Sequence, residues 1–160
     1  MSRLKIFLIA LLLITMCACK KAAVKPVTES VTFNAHICYF NKEYTCAAEI
    51  EKNGDMCLNI TEPKMLSGAK IIIKENEAYA EFEEIKYPVD VERAGGAPYF
   101  LLGVLREIRG KTAQSVNDEY VITGELAGED YKITFGETGI PISLTGKNIE
   151  IEFIDVRLTE

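Results

Sequence analysis

Apolar and polar side chains alternate after the first thirty residues, which is the pattern of strands with one buried face. A turn at Asn41-Lys42 predicts that Phe33 on the first strand pairs with Ile50 on the second. A second turn at Asn53-Gly54 predicts that Ile50 pairs with Met56 on a third strand. Every pair on this face is apolar or aromatic, so the alternation and the turns predict one continuous apolar face.

Further hairpins and one helix follow along the chain. Pro98 suits the first turn of a helix and Gly110 its end, and the apolar spacing between them predicts a helix over residues 98–109. The other predicted strands cover residues 69–75, 78–84, 87–92 (an edge strand), 119–126, 131–135, 140–145 and 148–156. This order predicts an α+β domain: a curved, largely antiparallel sheet, a half-barrel of about nine strands, covered by one main helix.

The chain begins with a charged and then apolar segment. Arg3 and Lys5 precede an apolar run of 11 residues from Ile6 to Met16, which fits an N-terminal signal peptide. At 1.5 Å per residue a helix of this length covers only about half of a ~30 Å hydrocarbon core. A permanent transmembrane helix is therefore not expected here.

The apolar run ends in Met16-Cys17-Ala18-Cys19, which resembles the lipobox of bacterial lipoproteins. The resemblance implies cleavage between Ala18 and Cys19 and attachment of acyl chains such as palmitate to the Cys19 sulfur. Two chains are what stable anchoring requires. Met16 and Cys17 depart from the usual residues, and ordinary secretory cleavage is the alternative.

Three segments follow from this interpretation: a signal peptide over residues 1–18, a lipidated tether over 19–30, and a β-rich domain over 31–160. The tether has no apolar periodicity and contains Pro26, so it is expected to be flexible. The protein is expected outside the cytoplasm, anchored to the cell membrane through Cys19, with its body standing off the surface.

Charge and composition exclude several classes of function. The 160 residues carry a net charge of −6, and removal of the signal peptide takes away two basic residues and no acidic one. Nucleic acid is therefore not an expected partner, since phosphate binding needs clustered Lys and Arg. A single histidine argues against most His-based metal sites and catalysis.

The order of elements resembles the LolA-like (lipoprotein-carrier) superfamily and, more narrowly, lipoproteins of anaerobic Firmicutes. The segments that carry this resemblance are 33–39, the connector 63–68, 95–98 and the turn 136–141. In that superfamily a half-open barrel covered by helices encloses an apolar cavity that holds acyl chains.

The resemblance implies a concave site for an apolar or acyl ligand. Its residues would be Phe33, Ile37, Ile50, Leu58, Ile60 and Phe82, with Leu101 and Leu105 as the lid. The alternative is that these side chains fill a core, in which case the protein is a structural or interaction lipoprotein that binds another envelope protein.

The remaining chemistry does not predict an enzyme, a cofactor or a metal site. Cys38, Cys46 and Cys57 are expected to be free thiols because the predicted register separates them, with a Cys38–Cys46 disulfide as the alternative. His36 shares a face with Cys38, but two ligands do not complete a metal site. Carboxylates over residues 81–92 are expected to form a solvated strand face.

Overall fold

A computed structural model describes residues 23–75, 77–89 and 96–159. The predicted signal peptide and Cys19 lie outside these described residues. The described part contains eleven strands, one α-helix (α1, Ala97–Glu107) and a 3-10 turn at Lys64–Leu66. The strands are β1 Val31–Tyr39, β2 Lys42–Ile50, β3 Met56–Glu62, β4 Lys70–Ile73, β5 Ala78–Phe82, β6 Ile85–Pro88, β7 Gln114–Val116, β8 Glu119–Leu126, β9 Glu129–Phe135, β10 Pro141–Gly146 and β11 Ile149–Leu158.

All eleven strands form one open antiparallel sheet in the order β6-β5-β4-β3-β2-β1-β11-β10-β9-β8-β7. Two meanders, β1–β6 and β7–β11, are joined where β1 pairs with β11. The first and last strands therefore lie at the centre of the sheet, and α1 connects its two outer edges. The predicted α+β architecture with one main helix is confirmed, with eleven strands rather than about nine.

Tight two-residue turns fix the pairing of the strands. Phe40-Asn41, Glu83-Glu84, Asn117-Asp118 and Ala127-Gly128 each have positive φ at both residues, as type I′ hairpin turns require. The first of these turns corrects the predicted register, because it places Ala48 rather than Ile50 opposite Phe33. The shift is two residues, so the same side chains stay on the buried face.

The second predicted register is confirmed. Ile50 pairs with Met56, and Gly54 supplies a positive φ of 88° in the connecting turn. The β5–β6 pair differs from its prediction, because the Glu83-Glu84 turn starts the edge strand at Ile85 instead of Tyr87. The prediction missed β7, whose three exposed residues carry no alternating pattern.

The sheet curves around α1. Arg106 donates a hydrogen bond of 2.9 Å to the carbonyl oxygen of Gly54, between β2 and β3. One turn earlier, the backbone of Gly103 lies against the side chain of Leu126 at the end of β8. In a flat sheet these points would be at least about 25 Å apart at ~4.8 Å per strand. One helix contacts both only because the sheet is curled, and the concave face is the one turned toward α1.

Residues 24–30 form a strap against the body. Val24 exchanges two backbone hydrogen bonds with Ala113, Val27 donates one of 2.8 Å to Gly139, and Thr28 is buried. Gly139 has a φ of +82°, and a Cβ there would run into the carbonyl oxygen of Lys25. The expectation of a flexible tether is therefore wrong for the strap.

Candidate functional site

The centre of the concave face is a filled apolar core. Six of the eight residues predicted to line a ligand site are at most 3% exposed, and they belong to one cluster of packed side chains. These six are Phe33, Ile37, Ile50, Leu58, Leu101 and Leu105. The structure thus brings together the predicted wall and lid residues, in direct packing with their neighbours.

The concave face stays open beyond the core, over β4–β6. Register places Leu58, Ile71 and Tyr87 in one row across β3, β4, β5 and β6, and it places Phe82 opposite Ile85 one row further along. Exposure rises outward along the first row: Leu58 is buried, Ile71 is half-buried and Tyr87 is 55% exposed. We call the half-buried and exposed part of this face, from Ile60 at the end of β3 outward, the open strip; it comprises Ile60, Ile71, Phe82, Ile85 and Tyr87.

Two of the predicted ligand residues lie in the open strip. Ile60 is half-buried on β3, and Phe82 is 37% exposed at the end of β5. The prediction missed Ile85, Tyr87 and Ile71. Ile85 and Tyr87 alternate with Lys86, which is a strand pattern. The predicted edge strand began only at Tyr87, so it did not include this pattern.

A polar network ties α1 to the other half of the sheet. Tyr131 on β9 donates a 3.0 Å hydrogen bond to Glu107 Oε1, and Lys111 Nζ lies 2.8 Å from the same oxygen. The hydrogen bond from Lys111, with a smaller contribution from Tyr131, lowers the pKa of Glu107. Burial is the main cause that raises the pKa of Tyr131. The network holds the C-terminal end of α1 over the concave face.

The lowered pKa of Glu107 predicts that this network stabilises the protein at neutral pH and fails in acid. A carboxylate with a depressed pKa contributes stability above the ordinary value of 4.5, and that contribution is lost as pH falls through its folded pKa. We expect the difference in urea midpoint between wild type and Glu107→Gln to be largest near neutral pH and to shrink below pH 4.5.

The matched control is Glu119→Gln. Glu119 lies 3.2 Å from Lys132, but both side chains are about half exposed, so removing this charge should change the midpoint little at any pH. An equal effect of both variants, or a difference for Glu107→Gln that grows in acid, would contradict the assignment.

The three body cysteines are free thiols on two faces of the sheet. Cys46 lies in the core opposite Ala35, and burial raises the pKa of its thiol to about 11. Cys38 and Cys57 lie on the convex face, where Cys38 pairs with Glu43 and Cys57 with Glu49. This register excludes the alternative Cys38–Cys46 disulfide.

The other polar candidates lie apart from the open strip. His36 faces Thr45 across the convex side of β1 and β2. Glu81 lies 3.7 Å from Lys86, while Asp90 and Glu92 are outside the described residues. Over the described ranges, no group of three His, Cys, Asp or Glu residues is placed to hold a metal ion.

Comparison with known proteins gives likenesses of fold. No family model and no curated protein matches the chain. A LolA superfamily protein from Nitrosomonas europaea is 11% identical, with a TM-score of 0.52 over 85% of this chain and 89% of that one. An uncharacterised conserved protein from Thermus thermophilus is 10% identical, with a TM-score of 0.53 over 84% of this chain and 81% of that one.

A third solved structure is an outer membrane lipoprotein-sorting protein domain from Vibrio parahaemolyticus. It is 6% identical, with a TM-score of 0.41 over 82% of this chain and 86% of that one. The likeness to the Nitrosomonas europaea protein indicates a LolA-like fold for the body, as its order of elements predicts.

Proposed function

We propose that the chain is a non-catalytic envelope lipoprotein, held at the cell membrane by acyl chains on Cys19, that binds an apolar or acyl ligand. The ligand lies along the open strip of the concave face rather than in the centre of the sheet. One observation carries this proposal: the apolar surface of the sheet continues past α1 and stays exposed at Phe82, Ile85 and Tyr87.

The shape and chemistry of the open strip support an acyl ligand. Contiguous exposed apolar surface rimmed by polar groups is typical of binding sites. Ile60, Ile71 and Phe82 lie on adjacent strands about 4.8 Å apart, so together they offer a trough long enough for several methylene groups. Each methylene buried there contributes about 0.8 kcal/mol.

The proposed anchor rests on the lipobox sequence. Within the described residues, helix length and hydropathy fall short of what a membrane-spanning helix needs. The strap begins at Val24, five residues after Cys19, so acyl chains there would hold the body close to the membrane.

A non-catalytic role is supported by the side chains near the open strip. Its surface is built from Ile, Phe, Tyr and Ala residues, and the nearest charged pair, Lys86 and Glu81, lies on the convex face. The Cys46 thiol is buried in the core with a raised pKa, which makes it a poor nucleophile.

Phe82→Glu is expected to weaken binding of the fluorescent fatty acid cis-parinaric acid about tenfold or more, because it puts a charge into the apolar trough. Titration of the fatty acid into a body spanning residues 23–160 measures this. Val116→Glu is the control, because Val116 is an exposed apolar residue on the edge strand β7, away from the open strip, and this variant should bind like wild type. Equal loss in both variants, or none in either, would overturn the assignment.

A filled core favours a second candidate function, an interaction lipoprotein that binds another envelope protein. The six buried residues of the predicted ligand site are the observation in its favour. Wild-type body that binds no fatty acid and carries no lipid mass in a native mass spectrum would support this alternative over the first.

A further inference from the structure

Exposed apolar side chains lie at one end of the sheet, on or beside the three connections of the first meander that are at this end. Phe40 lies in the β1–β2 turn and is 60% exposed, and Met65 in the β3–β4 connection is 81% exposed. Leu66 follows Met65, and Phe82 and Ile85 flank the β5–β6 turn. We call these five residues the hairpin-tip patch. Large apolar side chains gathered at one place on a surface mark an interaction site.

The shape of the hairpin-tip patch fits a flat, deformable surface. Three of its side chains are carried by connections, and the other two, Phe82 and Ile85, by the strand ends that flank the β5–β6 turn. The patch is therefore a row of separate apolar knobs, and it adjoins the open strip at Phe82. Phe40 in the β1–β2 turn and Ile85 at the start of β6 are separated by about 20 Å at ~4.8 Å per strand. A lipid surface accommodates such separate knobs without a matching shape.

The charges around the hairpin-tip patch point to a zwitterionic lipid surface. Lys42 and Lys64 lie beside the apolar residues of two of these connections, and a lysine can extend its ammonium group to headgroup phosphates while its stem stays apolar. Lys86 instead lies 3.7 Å from Glu81 on the convex face. Acidic residues outnumber the lysines here, which disfavours an anionic surface. They are Glu43, Glu62, Glu83 and Glu84.

The strap limits how the body can be placed at a membrane. Its last residue, Ser30, lies at the end of the sheet opposite the hairpin-tip patch, but its first residue, Val24, is bonded to Ala113 beside β7. The five residues from Cys19 to Ala23 reach at most about 17 Å from Val24. Val24 and the hairpin-tip patch therefore have to face the same bilayer for both contacts to form.

We infer that the hairpin-tip patch inserts into the zwitterionic surface of the bilayer that holds Cys19, so that the body lies along the membrane instead of standing off it. This inference rests on the lipid anchor of the proposed function. Because the anchor tethers the protein to the bilayer, the effective concentration of the patch at the lipid surface is about millimolar. A weak contact is then enough to keep the patch inserted.

A single tryptophan tests this orientation, because the chain contains none. The full lipidated protein with Phe40→Trp is reconstituted into phosphatidylcholine vesicles with or without brominated acyl chains. We expect its fluorescence to be quenched by the brominated lipid and its emission to be blue-shifted. Ile154→Trp is the control, because Ile154 is an exposed apolar residue on the convex face opposite Asn34, and it should be unquenched.

Three outcomes would overturn the inference. An unquenched Phe40→Trp in protein that stays with the vesicles refutes insertion but leaves the anchor intact, whether the patch is free or covered by a second copy. Equal quenching at both positions refutes the orientation. Protein that leaves the vesicles, with no acyl mass on its N-terminal peptide, refutes the proposed anchor itself.

Discussion

Leu101→Ala is expected to destabilise the body by about 2–5 kcal/mol, the cost of leaving a cavity in a packed core. Leu101 is fully buried on α1, in the middle of the residues predicted to form a ligand site. Urea unfolding of residues 23–160 measures the loss as a lower midpoint with an unchanged slope. A large loss indicates a filled core under the helix, and a small loss indicates an empty cavity there.

The loss of stability for Leu101→Ala is compared with the loss for Phe82→Ala. Phe82 is 37% exposed in the open strip, so its truncation should cost only about 1 kcal/mol. A loss for Leu101→Ala as small as that of Phe82→Ala would show that α1 is loosely packed. The space under the helix, rather than the open strip, would then be the expected ligand site.

Local patterns made most of the sheet predictable. Alternation marks each long strand, and Asn53-Gly54 fixes the β2–β3 register because glycine readily adopts the positive φ of this turn. The β1–β2 register was missed by two residues because Phe40 enters the left-handed region, which an aromatic residue seldom does. Such an error preserves the buried face, so the predicted core survived it.

Local sequence patterns do not predict contacts between segments that are distant in the sequence. The pairing of β1 with β11 joins the two ends of the domain, and no turn encodes it. The lack of apolar periodicity and the presence of Pro26 predict a flexible tether, which is wrong for the strap because the partners of Val24 and Val27, Ala113 and Gly139, lie far along the chain. Only the folded sheet brings these partners together.

The candidate site was predicted in part for the same reason. Alternation identifies which side chains of one strand share a face, and the resemblance to the LolA-like superfamily implies that Phe33 and Phe82 lie on the same concave face. Alternation does not show where α1 lies, and coverage by α1 decides that Phe33 is core while Phe82 is open. The polar network around Glu107 was also missed, because Tyr131 is 24 residues away in sequence.

Cys19→Ser is expected to abolish incorporation of labelled palmitate, because the thioether to the acyl-bearing glycerol forms only on a thiol. Two acyl chains at ~0.8 kcal/mol per buried methylene would be enough for stable anchoring. Metabolic labelling measures acylation, and the mass of the N-terminal peptide shows whether the signal peptide has been cleaved. Together they separate acylation from membrane retention by an uncleaved signal peptide.

Cys17→Ser is the matched control, since it removes the neighbouring thiol and leaves Ala18-Cys19 in place. It should keep the label and the N-terminus at Cys19. Label retained in Cys19→Ser, or lost in Cys17→Ser, would contradict the assignment.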